Sequence, residues 1–181
     1  HINDIEGSVK VIKNILKPDG VLVIEAPYLK NLIAGLEYDT IYHEHLMYLS
    51  INPMMKLFKK FEFEIFDIQF KNIHGGSIRV FVKHKNGPFR ISSKINKISK
   101  SEIKEKLNSI KTLSKFSKKV VSHRKELRNL LKKLKSNGKK IACVGAPAKG
   151  MTLLNYNKLN KDIIEFVTEV SKLKLNKYCP G

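Results

Sequence analysis

Cysteine is nearly missing from this chain: Cys143 and Cys179 are the only two in 181 residues. Two thiols do not make a disulfide framework, and they point to a reducing cytoplasm. Long apolar runs are missing too. None approaches the ~20 residues needed to span a bilayer, and the first residues carry no secretory signal pattern. Acidic residues are scarce, 16 Asp/Glu against 35 Lys/Arg, for a formal net charge of +19. Neither a Walker A loop nor a Gly-x-Gly-x-x-Gly fingerprint is present, which excludes two familiar phosphate-binding turns. There is no helical His-x-x-x-His and no cysteine cluster, so no metal site is expected.

What remains suits a folded protein, with 42% apolar and 28% charged residues. The positive charge is concentrated. Residues 94–140 hold 17 Lys/Arg and 3 Asp/Glu, so +14 of the +19 sits in one stretch. Arginine, whose fork reads bases and clamps phosphates, occurs there only at Arg124 and Arg128. A solvated helix face is the simpler reading, and a nucleic-acid partner is not expected. The chain opens on His1 instead of methionine and stops at Cys179-Pro180-Gly181 with no closing helix or strand. That predicts an internal piece of a longer protein.

Hydrophobic periodicity gives the element order. Ile5, Val9, Ile12 and Leu16 share one face of a helix over residues 4–17, which Lys17-Pro18-Asp19-Gly20 ends. Val21-Leu22-Val23-Ile24 is apolar at every position, as in a parallel strand covered on both faces. Ser50-Ile51-Asn52-Pro53 looks like a cap and first turn for a helix through Phe58. Phe61–Phe70 and Ile78–His84 read as an antiparallel hairpin about Gly75-Gly76. After Gly87-Pro88, a single long amphipathic helix is expected from Ser99 to about Lys135, with Ser99 and Glu102 as a capping box and Asn137-Gly138 as the stop. Its apolar stripe includes Ile103, Leu107, Ile110, Leu113, Val120, Leu127 and Leu131. Ile141–Val144, the loop Gly145–Gly150, a helix from Met151 to Tyr156 and a strand over Ile163–Val167 open a second α/β unit. The expected domains are residues 1–92, a connecting basic helix over 93–138, and a shortened α/β domain over 139–181.

Chemistry concentrates in two clusters. Tyr42-His43-Glu44-His45 offers a phenol, a carboxylate and two imidazoles in four consecutive positions. Such groups supply most of the acids, bases and oxyanion donors that work near neutral pH. His74-Gly75-Gly76-Ser77 with Arg79 is the second, its glycines allowing close backbone approach to a sugar or phosphate. Two such loops on an apolar scaffold read as one active site. Gly145-Ala146-Pro147-Ala148-Lys149-Gly150 is a third candidate, a loop whose amides could hold an anion at a helix N-terminus.

Three motifs in order carry a resemblance that covers nearly the whole chain. They are EYDTIYHEHLMYLS at 37–50, HGGSIRVFV at 74–82 and GAPAKGMTLLNY at 145–156. The chain resembles the S-adenosylmethionine-dependent sugar C-methyltransferases, which methylate a carbon beside the ketone of nucleotide-linked deoxysugars. The resemblance implies the carboxyl-terminal half of a class I, Rossmann-like methyltransferase sheet ending in an antiparallel hairpin, a connecting helix, and the start of a second Rossmann-like α/β domain. It implies His45 as general base, Tyr42 as hydrogen-bond donor or proton relay, and Glu44 as a holder of sugar hydroxyl or amine groups or as the group that orients a histidine. His1 is expected beside the methyl donor. His43, His74, Gly75, Gly76, Ser77 and Arg79, with the loop Gly145, Ala146, Pro147, Ala148, Lys149 and Gly150, are expected against substrate.

The same resemblance implies that the zinc-binding domain and the glycine-rich donor loop precede His1. It departs from the family where Glu169 stands for aspartate, Lys172 for proline, and Leu175-Asn176 for a Gln-Gly pair. A non-catalytic nucleotide-sugar module and a methyltransferase for another carbon or oxygen acceptor are the alternatives.

Overall fold

The computed structural model describes residues 2–180 and is mixed α/β. The chain divides into two compact units: residues 1–35 with 46–113, and residues 36–45 with 114–181. The expected limits at 92 and 138 fall inside these units, and the 36–45 loop belongs to the second.

The first unit opens with helix α1 (Ile5–Ile15), capped by Asp4, whose Oδ1 accepts from the Gly7 amide. Its inward face carries Val9, Ile12 and Leu16 onto the core. Strand β1 (Leu22–Pro27) follows the Lys17–Gly20 turn. Helix α2 (Leu29–Ala34), helix α3 (Ile51–Lys60) and strands β2 (Phe63–Lys71) and β3 (Ser77–His84) complete the layer. The sheet order is β1-β3-β2, antiparallel throughout. β1 was expected as a parallel strand covered on both faces. Among the described residues it instead pairs antiparallel with β3, and Val23 is half exposed. The hairpin returns β3 directly alongside β1, and period-2 geometry then turns alternate β1 residues outward. Ile51, Met54, Phe58, Phe63, Val80 and Val82 form the buried centre.

The single long helix is two. Helix α4 (Ser93–Lys104) is capped by Ser92, whose Oγ accepts from the Lys94 amide, and helix α5 runs Ile110–Ser136. Lys106 takes a left-handed φ of 52° between them, which an uninterrupted helix does not allow. The Ser99–Glu102 capping box is accordingly absent. Glu102 is buried, and its carboxylate accepts from the Tyr28 hydroxyl (2.9 Å), the Ile51 and Asn52 amides (2.8 and 3.0 Å) and Asn52 Nδ2 (2.8 Å). It thus caps α3, whose own flanking Ser50 makes no side-chain cap bond. Burial and this bond hold the Tyr28 phenol well above its ordinary range.

In the second unit, α5 stops where expected, with Gly138 at φ 72° and the Lys139 amide bonded to Leu134 O. Strand β4 (Ala142–Val144) pairs parallel with strand β5 (Phe166–Thr168), and helix α6 (Ala148–Asn157) lies between them in sequence. Leu159, Ile163 and Ile164 pack with Leu127, Leu131 and Ile141 as the core. The expected stripe is not continuous: Ile103, Ile110 and Leu113 are exposed. No helix among the described residues is long and apolar enough to cross a membrane.

Candidate active site

Residues 36–45 fold as a tight polar turn. A 3-10 turn over Tyr38–Thr40 is followed by a bend in which the His45 amide donates to Tyr42 O at 2.9 Å. The bend folds the two side chains together. Their rings lie 4.2 Å apart between centroids, and the Tyr42 hydroxyl sits 3.1 Å from His45 Nε2. On the other side of the imidazole, Nδ1 is 2.9 Å from the Thr40 carbonyl.

That carbonyl can only accept, so Nδ1 carries the proton. Nε2 is then left with its lone pair, which accepts from the Tyr42 hydroxyl. The local backbone therefore fixes one tautomer of His45, with its basic nitrogen toward the phenol. Tyr42 and His45 are half-buried, while His43 and Glu44 are exposed. An orienting acceptor, an imidazole and an O–H partner in series make a proton-transfer unit.

The second cluster belongs to the first unit and is built by the hairpin turn. His74, Gly75 and Gly76 take positive φ of 51°, 77° and 119°. Gly76 O accepts from the Tyr28 amide, and a Cβ on Gly76 would lie 2.1 Å from Asn31 Nδ2. Only glycine fits there. Ser77 is buried and donates to Ile73 O at 3.2 Å. Arg79 pairs across the sheet with Glu25, both Nε and Nη2 lying 2.7 Å from one carboxylate oxygen. His74 is exposed. A cavity of about 290 Å³ beside the turn is lined by Gly76, Ser77, Tyr28, Asn31, Lys30 and Lys71. Lys30 is already paired with Glu105, whose carboxyl it and Ser101 hold below the usual range.

In the 145–150 loop, helix α6 begins at Ala148, three residues earlier than expected, with Pro147 at its N-cap. Gly145 is at φ 81°. The amide of Ala146 donates to Glu169 at 3.0 Å, and the same carboxylate accepts from Val170 and Ser171. These three amides, Ser171 foremost, hold the Glu169 carboxyl below its ordinary range. The loop thus binds an internal carboxylate. Lys149 and Gly150 lie within the first turn of α6.

Among the described residues no group of three or more His, Cys, Asp and Glu could hold a metal ion. His1 lies outside the described residues. The carbonyl of Thr40 and the lysines of the cavity were not anticipated. Backbone acceptors carry no residue-type signal, and scattered lysines are common in this chain.

Residues 72–181 match the family described as C-methyltransferase C-terminal domain. The whole chain is also 30% identical over 181 residues to the C-methyltransferase NovU of Streptomyces niveus, spanning 43% of that protein's length. The chain belongs to the C-methyltransferase family.

Proposed function

We propose that this chain is part of an S-adenosylmethionine-dependent enzyme that methylates a carbon beside the ketone of a nucleotide-linked deoxysugar, working in the cytoplasm. The Tyr42–His45 pair with its Thr40 acceptor carries the reading. Hydrogens next to a ketone are weakly acidic, and their removal needs a base poised near neutral pH. In the proposed step the C–H proton passes to the Tyr42 oxygen while the Tyr42 hydroxyl proton passes to His45 Nε2. The C–H electron pair becomes the enolate. The Thr40 carbonyl then faces the Nδ1–H of an imidazolium and stabilises its charge. Glu44, exposed beside the pair, would hold sugar hydroxyl or amine groups.

S-adenosylmethionine supplies an electrophilic methyl group for such a carbon. No described residue is assigned to it: in the glycine-bearing turn between β4 and α6, the Ala146 amide already donates to Glu169. The first unit is read as the carboxyl-terminal part of a class I methyltransferase sheet. The parallel β4–α6–β5 unit is read as the opening of a Rossmann-like domain.

The test is to supply the full-length enzyme with a panel of nucleotide 4-keto-sugars and labelled methyl donor, and to locate the new methyl. A methyl on the carbon beside the ketone supports the reading. Label on oxygen, or on none of the panel, overturns it.

A further inference from the structure

A hydrogen-bond network behind the Tyr42–His45 pair is more constrained than packing requires. Asn157, the last residue of α6, is fully buried. Its Nδ2 donates to Leu153 O at 2.8 Å and to the Tyr38 hydroxyl at 3.0 Å. Its Oδ1 is buried with no hydrogen-bond partner among the described residues. Turning the amide over would not relieve this, since Oδ1 would then face the Leu153 carbonyl, acceptor against acceptor. A buried orphan oxygen disfavours folding, and an apolar side chain of similar size would avoid it.

The amide's distinctive effect is to fix Tyr38. Because the Tyr38 oxygen accepts from Asn157, its own proton is directed to His123 Nδ1, 3.0 Å away. The ring is buried, with His123 edge-on and Tyr156 tilted against it. Burial holds this phenol above its ordinary range, so it stays protonated and able to donate.

Tyr38 opens the 3-10 turn that passes its position on. The Ile41 amide donates to Tyr38 O at 3.0 Å, and the Thr40 hydroxyl donates to Glu37 O at 2.8 Å. Thr40 is itself buried, and its carbonyl is the acceptor for His45 Nδ1. Hydrogen bonds and one three-residue turn thus connect Asn157 to the imidazole. We propose that Tyr38 and Asn157 are positioning residues that select the tautomer of His45 by fixing the Thr40 carbonyl. This rests on reading His45 as the proton acceptor.

The test uses the full-length enzyme with ¹⁵N-labelled histidine, in which long-range correlation spectra separate the Nδ1–H from the Nε2–H tautomer. The parent should show His45 as Nδ1–H. Tyr38→Phe keeps the ring but should give a mixture of tautomers. Its kcat should fall roughly 10- to 100-fold, as expected for a misplaced catalytic group. KM should stay within about 2-fold, since ground-state binding is untouched.

The double variant Tyr38→Phe/Asn157→Leu also removes the orphan oxygen. It should melt no lower than the parent while keeping both defects. An unshifted tautomer with near-parental kcat overturns the proposal, as do defects that appear only alongside a lowered melting temperature. Full turnover in His45→Asn would sink the catalytic reading instead, and the tautomer comparison would still judge the positioning on its own.

Discussion

Two carboxylate- or imidazole-centred networks stand in contrast, one in each unit. Around Glu102 four donors converge on a side chain that is 1% exposed, and each carboxylate oxygen accepts twice. Around His45 the bonds run in series from a backbone carbonyl to a phenol, and both side chains are half-exposed. A closed network holds helices together and has no capacity left for a ligand. An open one leaves a proton to exchange. The difference teaches that exposure at the end of a hydrogen-bond chain, more than the presence of ionisable groups, separates chemistry from scaffolding.

Substitutions at the two centres should therefore fail differently. His45→Asn in the full-length enzyme is expected to lower turnover by about 10²–10⁴-fold, with a folding free energy within about 1 kcal/mol of the parent. Tyr42→Phe should be nearly as slow, because the relay needs the phenolic oxygen; a mild effect would mean that His45 meets the carbon directly. Both are read from steady-state kinetics alongside thermal melts.

Glu102→Ala should do the reverse. It leaves the α3 amides and the Tyr28 hydroxyl without their acceptor and should destabilise by about 3 kcal/mol in denaturant titration. Stability unchanged by that substitution would remove the contrast. Gly76→Ala, with its Cβ driven into Asn31 at positive φ, should destabilise by about 2 kcal/mol.

The smallest effect concerns Glu169. Its carboxyl is held below the ordinary range by amide bonds, so those bonds are fully present at neutral pH. They are lost as pH falls through the lowered value. Exchange of the Ala146 amide, corrected for intrinsic rates, should be protected at neutral pH and lose protection in acid. Glu169→Gln should show weaker protection with little pH dependence across that range.

Much of this contrast was legible beforehand, but unevenly. The Tyr42–His45 cluster stood out because local sequence places its groups within one turn, and the fold brings two of them, Tyr42 and His45, into contact. The β2–β3 hairpin and the Asn137-Gly138 helix stop were legible for the same reason, since both are local. Glu102 was misread because its partners Tyr28, Ile51 and Asn52 are 50 or more residues away, and spacing alone suggested a box with Ser99. The break at Lys106 was hidden because it has neither glycine nor proline. Arg79, expected against substrate, is engaged by Glu25 through a strand register that residue types do not reveal.

The most direct test of the central claim separates proton removal from methyl transfer. The full-length enzyme is incubated with a nucleotide 4-keto-sugar in deuterated water without methyl donor, and deuterium beside the ketone is followed by mass spectrometry. The account predicts steady incorporation in the parent and almost none in His45→Asn. Equal incorporation in the two would contradict it.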